Sequence, residues 1–430
     1  MPSSVIAVNA ASKIEASSPA YSSTWVVAFS VPQLIGWGSL YYAFALLVGQ
    51  METELSFTQL ELASAFSLGL LIEGLLAYPI GRLIDQGKAR WLMPAGSLLA
   101  ALGLLQLSRV QQLFDLYLAW GILGSSMAMV LYSTSFAVLT HRFPTNYRQA
   151  ITTLSLLGGL ASTVFIPLVA WMVQSLGWRQ AIEVLALLQL LVCLPIHALM
   201  LHKPIAPIAR KAAANTSALT STTTSTELPR LLLSWSYLQV CAFIVLMTTV
   251  SAALPLHLVS MLRTFHFEES WAILVPASMG VFQVASRLLL FFFEKRFDVH
   301  LANRFIPMLI PLGLLTLLIA SQLAPGVALI FAMLFVLLFG MGNGMLTIVK
   351  GTAMAQYVSR EHVAALNGVM GLPLALARAS APLALAALWN KQLGYVPGLS
   401  VLLILATLGV GALTLAQRSR FAHNVNQRLS

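Results

Sequence analysis

The chain has 430 residues, of which 58% are hydrophobic and only 9% charged, with a mean hydropathy of +0.84 and a formal net charge of +10. An average soluble domain carries about 25% charged residues, so a water-soluble globule is excluded. The runs lack the polar/apolar alternation of a transmembrane barrel, which leaves a polytopic helical membrane protein.

The first 22 residues are rich in Ser and Ala, carry only Lys13 and Glu15 as charges, and hold no apolar core of the kind a signal peptide needs. A disordered cytoplasmic tail is expected there. Apolar runs about 20 residues long, enough to cross a bilayer, then follow at Trp25–Val48, Leu60–Ile80, Trp91–Ser108, Leu113–Leu139, Ala150–Leu176 and Ala181–Leu201. The segment 202–230, with NTSALTSTTTSTELP at its centre, is polar, hydroxyl-rich and proline-bearing, and reads as a flexible linker. Six more runs follow at Leu231–Leu262, Ser270–Phe293, Phe305–Leu323, Val327–Val349, Val363–Trp389 and Val396–Leu415. The expected fold is therefore all-α, with twelve transmembrane helices in two six-helix, pseudo-symmetric bundles. These occupy residues 23–201 and 231–416, with a cytoplasmic tail at 417–430.

The basic residues sort by side. With the termini and the even-to-odd loops cytoplasmic, that face collects seventeen Lys and Arg, while the other holds only Arg109, Arg179, Arg263 and Lys391. This satisfies the positive-inside rule and places both termini in the cytoplasm. It also accounts for the net charge by topology and anionic lipid, so no polyanionic partner is needed. No Lys/Arg run is interleaved with aromatics, which argues against nucleic acid. Cys193 and Cys241 lie in separate apolar runs without CxxC spacing and read as structural thiols.

Between the second and third runs lies Gly81–Arg90, GRLIDQGKAR. Gly81 and Gly87 are expected to permit a tight turn, with Asp85 facing a helix N-terminus or an arginine and Lys88 and Arg90 holding the loop at the membrane surface. Lys295, Arg296 and Asp298 stand at the corresponding place in the second half, as in parallel-repeat transporters.

Six plus six spans, a long central loop and GRLIDQGKAR resemble the major facilitator superfamily. Gly81, Asp85 and Arg90 match that family's loop pattern, whereas Gln86 replaces a basic residue and Gly87 comes one place early. The resemblance implies that Gly81, Asp85, Lys88 and Arg90 form a latch that biases a conformational cycle. GWGSLYYAF, GVFQVASR and GNGMLTIVKGT further resemble bacterial oxalate/formate-type and monocarboxylate-type carriers. Such carriers have basic residues in the eighth and eleventh spans; carried over to Arg287 and Arg378, this implies an organic-anion site.

Ionisable residues inside a span are costly and mark function. Arg287 and Arg378 are permanent cations that suit a carboxylate held by paired hydrogen bonds. Glu73, in the second span, is the candidate for proton coupling. Lys350 closes the tenth span and is expected to snorkel to the inner interface, and His257 to sit at the outer one. In the superfamily the first, fourth, seventh and tenth helices line the cavity. Gln33, Tyr41, Tyr42, Tyr132, Gln239 and Asn343 on those spans are therefore candidate substrate contacts, with Ser133, Thr249 and Thr347 near them.

FGMGNGM lies inside a span with no preceding strand, so its glycines suit close helix packing. No GxxxxGK[ST] motif, nucleophile elbow or metal-ligand spacing is present, so no cofactor, metal or catalytic residue is expected. The expected function is secondary active transport of a small organic anion, such as a monocarboxylate, across a bacterial inner membrane by a monomer in the lipid bilayer. The competing reading is a proton-coupled exporter of drugs or metabolites, motivated by Glu73 and the aromatic first span.

Overall fold

The computed structural model describes residues 21–202, 230–293, 299–359, 366 and 369–429. The N-terminal tail to residue 20, the linker core 203–229 and the repeat triad Lys295, Arg296 and Asp298 lie outside them. Among the described residues, twelve helical spans run in sequence. They are α1 (Ser23–Leu55), α2 (Gln59–Asp85), α3 (Ala89–Ser108), α4 (Leu113–Arg142), α5 (Tyr147–Gly159 continued by Ala161–Leu176), α6 (Trp178–Met200), α7 (Trp235–Thr264), α8 (Glu269–Phe293), α9 (Val299–Ala320), α10 (Pro325–Tyr357), α11 (Gly371–Ala387) and α12 (Val396–Leu429). Eleven of these are long and apolar enough to cross a membrane, and α11 is a shorter apolar helix. The last helix continues through 417–429.

Each half packs its own apolar core: Phe44, Phe66, Leu70 and Trp120 centre the first, and Phe243, Phe335, Phe339 and Tyr395 the second. Large apolar side chains on the outside, such as Trp171, Ile330 and Ile404, stay exposed, as a lipid-facing belt requires. The halves meet along three helix pairs, α2 with α11, α5 with α8 and α1 with α7. Small residues make the close approaches: a Cβ on Gly74 would lie 2.4 Å from the Ala375 Cβ, and one on Gly280 2.4 Å from Thr163 Oγ1. Thr163 Oγ1 donates to the Ala277 carbonyl (2.7 Å) at this seam, and Tyr395 Oη donates to Gln59 Oε1 (2.9 Å) beyond it.

Two local breaks in helix geometry shape the first half. In α1, residues Gly38–Tyr42 form a π-turn, and in α6 Gln189–Cys193 form another; Gln189 Nε2 donates to Ser39 Oγ (2.8 Å) and ties the two together. A π-turn shifts the register of every side chain beyond it and is frequent at functional sites. In α4, Leu131 adopts an extended conformation (ψ −171°) that splits the helix between Val130 and Tyr132. The orphaned Val130 carbonyl is taken by Gln33 Nε2 at 2.5 Å, and the same amide donates to Ser135 Oγ at 2.7 Å.

The loop Gly81–Arg90 is resolved in atomic terms. Gly81 lies inside α2 with open space around it, so the turn does not depend on it. Gly87 carries the turn at φ +78°, where its N–H reaches the Ile84 carbonyl and the Lys88 N–H reaches Leu83, a Schellman closure. Asp85 bonds His141 of α4 (2.9 Å) rather than an arginine or a helix end, and Arg90 lies over the Trp91 ring. The glycines of FGMGNGM serve packing: a Cβ on Gly344 would come within 2.5 Å of the Gln283 carbonyl on α8.

The tightest approach of backbone to backbone in the first half is α2 against α4, where a Cβ on Gly124 would sit 2.3 Å from the Gly69 carbonyl. Gly124→Ala is expected to lower the unfolding temperature of detergent-purified protein by several degrees. Gly411→Ala, with nothing within 4 Å, should leave it unchanged.

Candidate functional site

Near the middle of the bundle the two halves enclose a cavity of about 380 Å³, lined by α1, α2, α4 and α5 on one side and α7, α8, α10 and α11 on the other. The lining from the first half includes Trp37, Tyr41, Tyr42, Glu73, Tyr132 and Ser133. From the second half come Thr248, Ser251, Gln283, Asn343, Thr347, Lys350 and Arg378 among apolar neighbours.

In its lining Glu73 and Arg378 form a two-point ion pair across the seam. Nη2 donates to Oε2 at 2.9 Å and Nη1 to Oε1 at 3.3 Å, linking α2 to α11. The Glu73 side chain is 10% exposed and that of Arg378 32%, so Glu73 is the more enclosed partner. In a low-dielectric setting either charge alone would be expensive, and the fork-to-fork geometry offsets that cost for both.

Lys350 is the second cation. Its Nζ donates to Thr248 Oγ1 (3.3 Å), it lies within electrostatic reach of Arg378, and among the described residues no carboxylate pairs with it. The sequence reading put Lys350 at the membrane interface. The structure corrects this, because α10 continues to Tyr357 and carries Lys350 into the cavity. The signal was in the spacing: Asn343, Thr347 and Lys350 recur at i, i+4 and i+7 and so share one helix face.

The remaining candidates divide. Tyr41, Tyr42, Tyr132 and Asn343 line the cavity, Asn343 accepting from Ser251 Oγ at 2.8 Å. Gln33 and Gln239 are buried away from it. Gln33 is committed to the break in α4, and Gln239 sits on a face of α7 that the cavity does not reach. Arg287 is not part of the lining either: its Nε donates to the Gly344 carbonyl (3.2 Å) and its Nη1 to the Ser155 carbonyl (3.0 Å), so it bridges the halves through main chain. His257 is buried rather than interfacial, with Nε2 bonded to the Pro382 carbonyl at 2.9 Å. Thr248, not Thr249, faces the cavity.

A membrane bundle of two six-helix halves closing on a charged central cavity is the architecture of a secondary transporter. The family model of the Major Facilitator Superfamily matches residues 26–382, and the chain belongs to that superfamily. In sequence it is similar to monocarboxylate transporter 13 of Rattus norvegicus, 29% identical over 173 residues, which is 36% of this chain and 40% of that protein's length. In structure it is similar to a bacterial homologue of the human lysosomal transporter Spinster in an inward-facing, occupied conformation (TM-score 0.69, 13% identity, 93% of this chain and 98% of that one). It is also similar to the nucleoside transporter NupG (0.67, 15%, 92% and 98%) and to a bacterial homologue of the drug and peptide transporters PepT1 and PepT2 (0.65, 15%, 94% and 100%). At these identities the structural likeness speaks for the fold.

The ion pair has a direct thermodynamic signature. Glu73→Gln and Arg378→Gln are each expected to destabilise the purified protein, and the double variant should lose less than the sum of the two. The coupling energy should fall in the range of about 0.5–3 kcal/mol in a double-mutant cycle of unfolding.

Proposed function

We propose that this protein is a secondary active carrier for a small organic anion, with monocarboxylates the leading class. It works as a monomer in a bacterial inner membrane, both termini in the cytoplasm, by alternating access of its two bundles. The observation that carries the reading is the charge balance of the cavity: two cations, Lys350 and Arg378, against one carboxylate, Glu73. One positive charge is left uncompensated in a place where ions are expensive, and an anionic substrate completes the set. The same excess repels cationic drugs, which weighs against the exporter reading. The partial likeness to a monocarboxylate transporter supports the same substrate class.

Glu73 supplies a route to proton coupling. A substrate carboxylate reaching Arg378 competes with Glu73 for the same guanidinium and frees Glu73 to serve as the proton carrier, so that proton and anion travel together. Rupture of the Glu73–Arg378 link also loosens the seam between α2 and α11, which couples occupancy to movement of the halves. The latch at Asp85 and His141 lies at the end of α2 and would bias that movement from the basic face.

Reconstituted protein should exchange labelled monocarboxylates. Lys350→Gln, which removes a charge-assisted hydrogen bond of about 1.5–3 kcal/mol, should cut exchange roughly tenfold or more, and Lys350→Arg should retain part of it. Full exchange by Lys350→Gln refutes the anion site. Glu73→Gln should keep exchange while losing acceleration by an inward proton gradient; retained acceleration removes Glu73 from the coupling.

A further inference from the structure

The two walls of the cavity differ in chemistry. Both basic side chains of the lining belong to the second half, whereas the first half contributes four contiguous rings. Tyr42 meets Tyr41 edge-on (centroids 5.3 Å), Tyr41 meets Trp37 edge-on (5.2 Å), and Trp37 leans on Tyr132 (5.0 Å). The shelf is built rather than incidental. The π-turn Gly38–Tyr42 ends on two consecutive tyrosines that both face the cavity, and Gly38 makes room for Phe165, whose ring would lie 2.1 Å from an added Cβ. The break at Leu131 starts the second part of α4 at Tyr132, whose hydroxyl sits where a Cβ on Gly158 would be, 2.4 Å away. Two departures from regular helix and two missing side chains are thus used to hold one aromatic surface.

The volume agrees with a substrate larger than a two- or three-carbon acid. At about 380 Å³ the cavity falls in the range of roughly 300–1,000 Å³ typical of sites for drug-sized ligands. A short acid would satisfy Lys350 and leave the rings facing water. A flat aromatic body would fill the space and gain about 0.5–1.5 kcal/mol per well-placed ring pair beyond its burial.

We propose that the substrate is an aromatic monocarboxylate that bridges the two bundles, its carboxylate on Lys350 and Arg378 of the second half and its ring against Trp37, Tyr41 and Tyr132 of the first. The inference rests on the anion reading above. It gives the substrate a handle on each moving half, so that only a ligand with both parts draws the halves together.

The test measures the rise in unfolding temperature of purified protein against concentration for four probes: benzoate, cyclohexanecarboxylate, pyruvate and benzyl alcohol. Benzoate is expected to act at least tenfold below the concentration of pyruvate and severalfold below that of cyclohexanecarboxylate, with benzyl alcohol ineffective. Tyr132→Leu should shrink the advantage of benzoate over cyclohexanecarboxylate. Pyruvate or cyclohexanecarboxylate acting at or below the benzoate concentration overturns the aromatic inference and leaves the anion reading standing. Benzyl alcohol acting as well as benzoate overturns the anion reading, and no stabilisation by any probe overturns both.

Discussion

Holding a charge inside a membrane costs several kcal/mol unless something pairs with it, and the seam of this molecule is arranged around that cost. Glu73 and Arg378 meet from different halves, 305 residues apart in sequence, and neutralise each other. Lys350 lines the same cavity, and among the described residues no carboxylate pairs with it. The pair does two things at once: it fastens α2 to α11, and it leaves the cavity with one unit of positive charge. In the proposed mechanism the first constrains motion and the second cargo, and substrate and conformation are tied through one guanidinium.

The rest of the structure serves that arrangement. Small residues at Gly74, Gly159 and Gly280 let the two halves approach closely enough for Glu73 to reach Arg378 and for Arg287 to reach the Ser155 carbonyl. The π-turn in α1 and the split in α4 give up regular helix in the first half, where the aromatic wall stands; Gln33 takes the Val130 carbonyl at the split, and Gln189 ties the π-turn to α6 through the Ser39 hydroxyl. Distortions with their own hydrogen-bond partners, placed against a cavity, are the pattern expected where function has overridden local regularity.

Much of this was legible in the sequence because hydropathy in lipid is close to a structural rule. Every span is bounded by the need to satisfy its own backbone, so the twelve helices could be read off apolar run lengths. Glu73 and Arg378 were visible singly as ionisable residues in apolar runs, but their pairing is tertiary and no local pattern announces it. Gln33 was misread as a substrate contact because the break at Leu131, which creates its partner, has no proline or glycine to mark it. Lys350 was misplaced by a helix end set too early, although its face, shared with Asn343 and Thr347, held the correct answer. Gly81 was credited with a turn that Gly87 makes alone.

In the proposed mechanism an uncompensated positive charge at the seam selects the cargo. The decisive measurement is a titration of the tryptophan fluorescence of purified protein with three ligands of one shape: a carboxylic acid, its primary amide and the corresponding amine. The acid is expected to bind at least tenfold more tightly than the amide, the amine not to bind, and Lys350→Gln to erase the advantage of the acid. Equal binding of acid and amide, or preferred binding of the amine, would contradict it.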